Sequence, residues 1–344
     1  MAAIPEPSEL EGHSILITGA GGLICSAVAD LLLRYHETNG ATFPIYLAAR
    51  SEERIRSRFG PYANQSYFHF LPYDAEADLN DFPSDLSYII HGASNASPDR
   101  IVKEPVETMV SNFCGLRNLL EYGRGHGCKR LLYISSSEVY GRKENNAPFQ
   151  ENEYGYIDLL NPRNSYSVGK RAAETLCASY AAEYGVDSVI VRPGHIYGPT
   201  AGKQDRRVSS AWAYDAAAGK DIIMKSDGAQ LRSYCYCLDC AAAILKVLLR
   251  GESGHAYNIS NPDSVISIRQ MAEILSAEAD VPLRMEFPSE AERKAFNPMS
   301  NSSLESSCLQ KLGWRGCFDA ETGFAHTVQI LCESGLVRNK TQED

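Results

Sequence analysis

The sequence predicts an α/β fold, a doubly wound parallel sheet (Rossmann-like) followed by a smaller C-terminal α/β lobe. Two observations predict it. Short, near-continuous apolar runs alternate with helical patterns through the first half, as in parallel sheets covered on both faces. The first of these runs opens directly into a glycine-rich turn. Ser14–Thr18 is the first strand and Leu23–Tyr35 the helix after it. Ile45–Ala49, Tyr67–Leu71 and Tyr88–His91 read as the second to fourth strands. A long helix spans Pro105–Tyr122, a fifth strand Arg130–Ser135, a second long helix Arg163–Tyr184 and a sixth strand Ser188–Arg192. Beyond it, Pro193, Gly194, Gly198 and Pro199 break the rhythm, and shorter elements follow to about Leu336. The division expected is a dinucleotide domain at 1–192, a substrate lobe at 193–336 with some segments returning to the first domain, and a frayed tail at 337–344.

Composition narrows the function. The 344 residues carry 33 Lys+Arg against 43 Asp+Glu, a net charge of −10, with 44% apolar and 22% charged residues. That balance is globular, and an acidic chain lacks the basic surface that nucleic acid requires. No run approaches the ~20 apolar residues of a membrane helix. The first 14 residues hold three Glu and no Lys or Arg, unlike a secretion signal. Ten cysteines in so long a chain read as reduced thiols of a cytoplasmic protein. Cys235, Cys237 and Cys240 have no second Cys or His pair at zinc spacing nearby, so no metal site is expected and they read as buried thiols in a strand-like segment.

The turn Thr18-Gly19-Ala20-Gly21-Gly22-Leu23-Ile24-Cys25 suits a dinucleotide pyrophosphate. Glycines let the backbone reverse and approach the phosphates, which then sit on a helix N-terminus. Gly19 and Gly22 hold the Gly-x-x-Gly spacing, and Cys25 stands at the third small position. A tight loop without a ligand is the alternative. After the second strand, Arg50 replaces the acid that would bind a ribose 2′-hydroxyl, which leans to NADP through a 2′-phosphate. A solvated or adenine-stacked Arg50 is the competing reading. Asp74, after the third strand, is an adenine contact or a helix cap.

Tyr166-Ser-Val-Gly-Lys170 places a phenol and an ammonium one helical turn apart on one face. A phenol of pKa about 10 is a poor base, and a neighbouring cation favours its phenolate. Such a pair can take a hydroxyl proton while hydride leaves the same carbon, with Lys170 also holding the nicotinamide ribose. Alone, Tyr-x-x-x-Lys also describes an ordinary exposed helix pair. Here Ser135-Ser136-Ser137-Glu138-Val139-Tyr140-Gly141 adds hydroxyls at the strand edge where such sheets bind ligands.

Together these motifs resemble the extended branch of the short-chain dehydrogenase/reductase superfamily, the NAD-dependent nucleotide-sugar epimerase/dehydratase family. His91-Gly92-Ala93-Ser94, Asn112, Arg192-Pro193-Gly194-His195, Gln230-Leu231-Arg232 and Leu312-Gly313-Trp314 are further landmarks, so the likeness covers about residues 12–335. It implies Tyr166 as base, Lys170 as its partner, Ser136 as the hydroxyl on the sugar's reacting oxygen, and Glu138 beside them. It implies Gly19, Gly22, Leu23, Ile24, Arg50, Asp74, Ala93, Asn112, Tyr166, Lys170 and Pro193 along NAD or NADP, with family habit leaning to NAD. Ser94, Ser137, His195, Arg206, Arg207 and Arg232 fall to a nucleotide-diphosphate sugar. His195 stands where these enzymes often have Asn, and a packed loop histidine is its alternative. A solvated face competes for Arg206 and Arg207.

The resemblance implies oxidation of the sugar at C4. For the fate of the resulting ketone, epimerisation is the first reading. Decarboxylation of a uronic acid is second, because Glu138 preceded by Ser137 resembles the decarboxylase pattern. A 4,6-dehydratase carries Asp then Glu there, and Ser137 weakens that reading. An NADPH-dependent keto-sugar reductase and a non-catalytic dinucleotide sensor complete the set. A homodimer is expected, with Met109, Phe113 and Leu116 of one helix and Ala172, Leu176 and Tyr180 of the other able to build an intersubunit four-helix bundle. The competing reading turns these stripes toward their own sheet.

Overall fold

Alternate residues of the central strands bury on opposite faces, so the apolar runs become a sheet covered on both sides. In the computed structural model, which describes residues 7–77, 81–288 and 300–334, twelve strands are seen. They are β1 (Ser14–Thr18), β2 (Ile45–Ala49), β3 (Phe68–Pro72), β4 (Leu86–His91), β5 (Arg130–Ile134), β6 (Ser188–Pro193), β7 (His195–Tyr197), β8 (Ile222–Met224), β9 (Leu231–Tyr236), β10 (Ala256–Ile259), β11 (Val265–Ser267) and β12 (Leu283–Met285). Seven form the main sheet in the order β10-β6-β5-β4-β1-β2-β3, and its pairings are parallel. The order reverses between β1 and β4, which opens a crevice at the C-terminal strand ends, where open α/β sheets bind ligands.

Helix α1 (Leu23–Asn39) covers one face, α2 (Glu52–Arg58) follows β2, and α3 (Pro98–Lys103) leads into α4 (Pro105–His126). Ile15 and Ile17 pack with Leu32 and Leu33 on the α1 face, whereas Leu16, Ile89 and Leu131 meet Leu116, Leu119 and Ala173 on the other. Ala173 belongs to α5 (Ser165–Tyr184), which lies along α4. They meet at Gly169, where an added Cβ would stand at van der Waals distance, 3.5 Å, from the Asn112 Cβ.

After β6 the chain builds a three-stranded sheet, β11-β9-β7, and a β12-β8 pair. With them come α6 (Val208–Ala217), α7 (Cys237–Arg250), α8 (Ile268–Ala279) and the helices Ser307–Lys311 and Ala320–Glu333. Helix α7 packs on α1, and β10 extends the main sheet beside β6. Residues past 192 therefore also complete the first sheet.

Several boundaries differ from the sequence reading. Helix α4 runs on through Gly123 and Gly125 to His126 and closes only at Gly127, which takes the left-handed cap conformation. Helix α5 begins at Ser165 instead of Arg163, since Pro162–Asn164 forms a separate 3-10 turn capped by the Asn161 side chain. The cysteine segment is a strand only to Tyr236, and Cys237 and Cys240 lie on α7. All three thiols of that segment are buried, which pushes their pKa values up and holds them protonated. The tail 337–344 lies outside the described residues.

Candidate active site

The glycine-rich turn meets the end of β4 at van der Waals distance. Gly19 has a left-handed φ of 72°, and a Cβ there would stand 2.8 Å from the Ala93 nitrogen. The Gly22 N–H closes the turn on the Gly19 carbonyl at 2.9 Å. Gly22 then starts α1 in extended geometry with no side-chain cap, so the first-turn N–H groups at Leu23 and Ile24 carry no capping oxygen from the residue before them. Cys25 fits as the third small residue because Gly92 leaves it room; a Cβ on Gly92 would collide with its sulfur. Burial pushes the Cys25 thiol up to about 12 and keeps it inert. This bare cradle and uncapped helix start suit a pyrophosphate. Gly19→Ala should lower unfolding free energy by about 1–2 kcal/mol from the left-handed backbone alone, read as a reduced urea midpoint at unchanged slope.

Around the cradle, the Thr18 hydroxyl receives the Ala93 N–H at 3.3 Å and meets His91 Nδ1 at 2.7 Å. Burial and the Lys170 charge pull His91 down to about 3, so it is neutral. Asn112 of α4 donates to the Thr108 carbonyl at 2.7 Å and accepts the Ser94 hydroxyl at 3.0 Å, which ties the loop after β4 to α4. Ser94 is thus placed beside Asn112, the two coming from the substrate and cofactor sets. The Thr200 hydroxyl donates to the Leu23 carbonyl at 3.0 Å, bringing the loop after β7 onto the start of α1. Pro193 ends β6 in register with Ile259. Arg50 is exposed just past β2 and forms no ion pair among the described residues. Asp74 accepts the Glu76 N–H at 3.1 Å, as a turn cap does.

The candidate catalytic residues gather where β5 ends against α5. Tyr166 and Lys170 are 8% and 2% exposed, which disposes of the ordinary exposed helix pair. The Lys170 ammonium donates to the Ile134 carbonyl at 2.7 Å and lies 4.6 Å from the Tyr133 ring centre and 5.7 Å from that of Tyr166. Burial pulls it down to about 7, against an upward pull from Glu174. Burial, then the Glu138 charge, push Tyr166 up to about 12, while hydrogen bonding from Ser136 and the Arg207 charge pull the other way. The downward pull on the phenol therefore comes from Ser136 and Arg207. Lys170 aims its ammonium at a strand carbonyl, a partner that sequence spacing does not reveal. Ser136 also caps the 3-10 turn Ser137–Tyr140 by accepting the Glu138 N–H at 3.1 Å. Glu138 itself accepts the Ser167 hydroxyl at 3.1 Å.

On the facing lobe, His195 of β7 stands in register with Tyr234 of β9, their ring centres 5.7 Å apart. Burial, with the charges of Arg232 and Arg207, pulls His195 down to about 4. Arg232 is 4% exposed on β9 and donates to the Leu231 carbonyl at 2.8 Å. Arg207 is paired with Asp205 at 3.0 Å, just before α6. Arg207 thus acts on both Tyr166 and His195, and the structure brings these four groups into one electrostatic neighbourhood. Arg206 is exposed, and among the described residues no hydrogen bond or ion pair links it to them. Sequence reasoning missed Glu174 and Arg192, a buried ion pair at 2.7 Å behind Lys170. The available signal was the second four-residue step, Tyr166, Lys170, Glu174.

Residues 15–260 match the NAD dependent epimerase/dehydratase family. The chain belongs to this family. It is accordingly an enzyme of the extended short-chain dehydrogenase/reductase type, among nucleotide-sugar modifying relatives. It is 28% identical to UDP-glucuronic acid decarboxylase 1 of Xenopus tropicalis over 325 residues, 94% of this chain and 73% of that protein. It is also 28% identical to UDP-glucuronic acid decarboxylase 6 of Arabidopsis thaliana over 319 residues, 90% of this chain and 88% of that one. A trifunctional UDP-glucose 4,6-dehydratase/3,5-epimerase/reductase of Arabidopsis thaliana is 28% identical over 333 residues, and this epimerase/dehydratase-family chain spans about half of its length, 47%. The fold matches UDP-N-acetylglucosamine 4-epimerase of Methanobrevibacter ruminantium with a TM-score of 0.79 at 20% identity, covering 94% of this chain and 99% of the other. A dTDP-glucose 4,6-dehydratase of Streptomyces venezuelae, solved with NAD, gives 0.77 at 20% identity, covering 94% and 98%.

Proposed function

We propose that this family member oxidises a nucleotide-diphosphate-linked uronic acid at C4 and releases the decarboxylated sugar. The observation that carries the reading is the Ser136-Ser137-Glu138 edge of β5, where one carboxylate follows the hydroxyls and is anchored by Ser167 beside Tyr166. Elimination of water needs a second acid at position 137, and serine cannot supply it. The decarboxylases matched over most of both chains favour this outcome over the epimerisation that the sequence alone put first.

In this reading Ser136 positions the C4 oxygen and Tyr166 takes its proton. NAD or NADP, held along the turn at 19–24 and by Lys170, would supply the hydride acceptor for C4 and a positive charge that favours the Tyr166 phenolate. The C4 ketone is β to the carboxylate, so the C5–C6 electron pair can flow to the ketone oxygen as carbon dioxide leaves. Glu138 relays a proton taken up from solvent to C5, and Tyr166 returns one to O4. Arg207, whose charge reaches Tyr166, orients the uronate, while Arg232 and His195 hold the diphosphate through charge-assisted and neutral hydrogen bonds. Ser94 and Ser137 line the sugar, and the exposed Arg206 adds only long-range charge. Gly19, Gly22, Leu23 and Ile24 cradle the pyrophosphate, Asn112, Ala93 and Pro193 flank the nicotinamide half, and Asp74 lies toward the adenine. Arg50 accommodates a 2′-phosphate, which keeps NADP beside NAD.

Among the described residues no helix is long and apolar enough to cross a membrane. We place the protein in the cytoplasm as a homodimer. Met109 and Phe113 are exposed on α4 and free to pair; Leu116 and Tyr180 are buried, so that part of the expected stripe faces inward. Substrate deuterated at C4 should give product that keeps the label at C4, because the same hydride goes out and back. Loss of the label to solvent or to free cofactor would contradict the internal redox cycle.

A further inference from the structure

Two consecutive residues where β5 ends each grip one residue of a stripe spaced four apart on α5. The Ile134 carbonyl accepts the Lys170 ammonium at 2.7 Å. The Ser135 hydroxyl donates to Glu174 Oε1 at 2.5 Å. At 3.6 residues per turn, Tyr166, Lys170 and Glu174 form one stripe along the helix, and the strand end is pinned to it at Lys170 and Glu174.

Glu174 is the rung that is itself anchored. Arg192, at the end of β6 and 2% exposed, donates Nε to Oε1 at 2.9 Å and Nη2 to Oε2 at 2.7 Å, a bidentate pair. The same guanidinium reaches the Tyr140 hydroxyl at 3.0 Å, the Glu151 carbonyl at 2.7 Å and the Tyr154 hydroxyl at 2.7 Å. The Tyr140 hydroxyl in turn donates to Asn258 of β10 at 2.5 Å, and Asn258 holds the Phe149 and Glu305 carbonyls. A bidentate buried pair fixes orientation as well as distance, and little of it can relax without exposing a charge.

We infer that Glu174 is a positioning residue for the cofactor-facing ammonium: by clamping Ser135 to α5 it sets where Lys170 stands relative to the β5 edge. The inference rests on the reading of Lys170 as a cofactor contact. Glu174 also supports the charged form of Lys170 against burial. A residue that merely stabilised the fold would act on cofactor binding independently of Lys170.

The test is a double-mutant cycle on dinucleotide affinity, measured with NAD and NADP by titration calorimetry on the full chain, so no substrate is needed. Glu174→Gln keeps the size and an acceptor for Ser135 but removes the charge. It should weaken binding about tenfold in the native background and less than twofold in a Lys170→Ala background. Ser135→Ala leaves the ion pair intact and should repeat the pattern with a loss of a few fold, which keeps the inference testable if Glu174→Gln does not fold. Unchanged affinity in the single variants, or equal losses in both backgrounds, would overturn the positioning role. Failure of the unaltered protein to bind either dinucleotide would instead overturn the cofactor reading, and this inference with it.

Discussion

Tyr166→Phe should reduce kcat about a thousandfold while leaving dinucleotide affinity within a few fold. A positioned acid–base group contributes a factor of that order, and the phenol oxygen is what the substitution removes. The ring, which is buried beside the Lys170 ammonium, stays in place. Because burial and the Glu138 charge push the phenol up to about 12 in this structure, its ionisation leans on Ser136 and on the Arg207 charge. The variant should therefore be folded, cofactor-binding and nearly inert. Single-turnover kinetics with bound cofactor reads the chemical step without product release. Near-native turnover would remove Tyr166 from the mechanism.

Arg192→Met should cost about 3–5 kcal/mol of stability, because it leaves the Glu174 carboxylate buried without its partner. Glu174 is 7% exposed, and beyond Arg192 it retains the Ser135 hydroxyl. The loss also strips donors from Tyr140, Tyr154 and the Glu151 carbonyl. Pairing the change with Glu174→Leu removes the orphaned charge and should restore most of the loss, as apolar replacements of buried ion pairs do. Urea unfolding of the two single variants and the double variant reads the cycle directly. A single Arg192→Met variant as stable as the native chain would mean that water or a rearranged side chain satisfies Glu174.

The fold was legible because parallel strands buried on both faces are apolar nearly throughout, as the runs at 15–17 and Ile45–Ala49 are. The Tyr166–Lys170 stripe proposed as catalytic was legible for a related reason, since the spacing of the two residues fixes a shared helix face. Their partners were not. The Lys170 contact to Ile134 depends on how β5 approaches α5, and the Arg192 network joins residues 18 to 118 positions apart. Helix-facing patterns also misled at Leu116, whose apolar side chain fits an interface as readily as a core, and which the sheet in fact buries. Asp74 shows the converse, a polar residue whose turn-capping contact is local and was foreseeable.

The fate of the oxidised sugar separates decarboxylation from every competing reaction. The purified protein would be incubated with UDP-, dTDP-, GDP- and CDP-linked uronic acids and the corresponding neutral sugars, and the products identified by mass and NMR. A nucleotide-linked uronic acid should lose the mass of carbon dioxide and give a single product with one C4 configuration. A uronic acid returned at unchanged mass with C4 inverted, or a neutral hexose losing the mass of water, would overturn the decarboxylase reading.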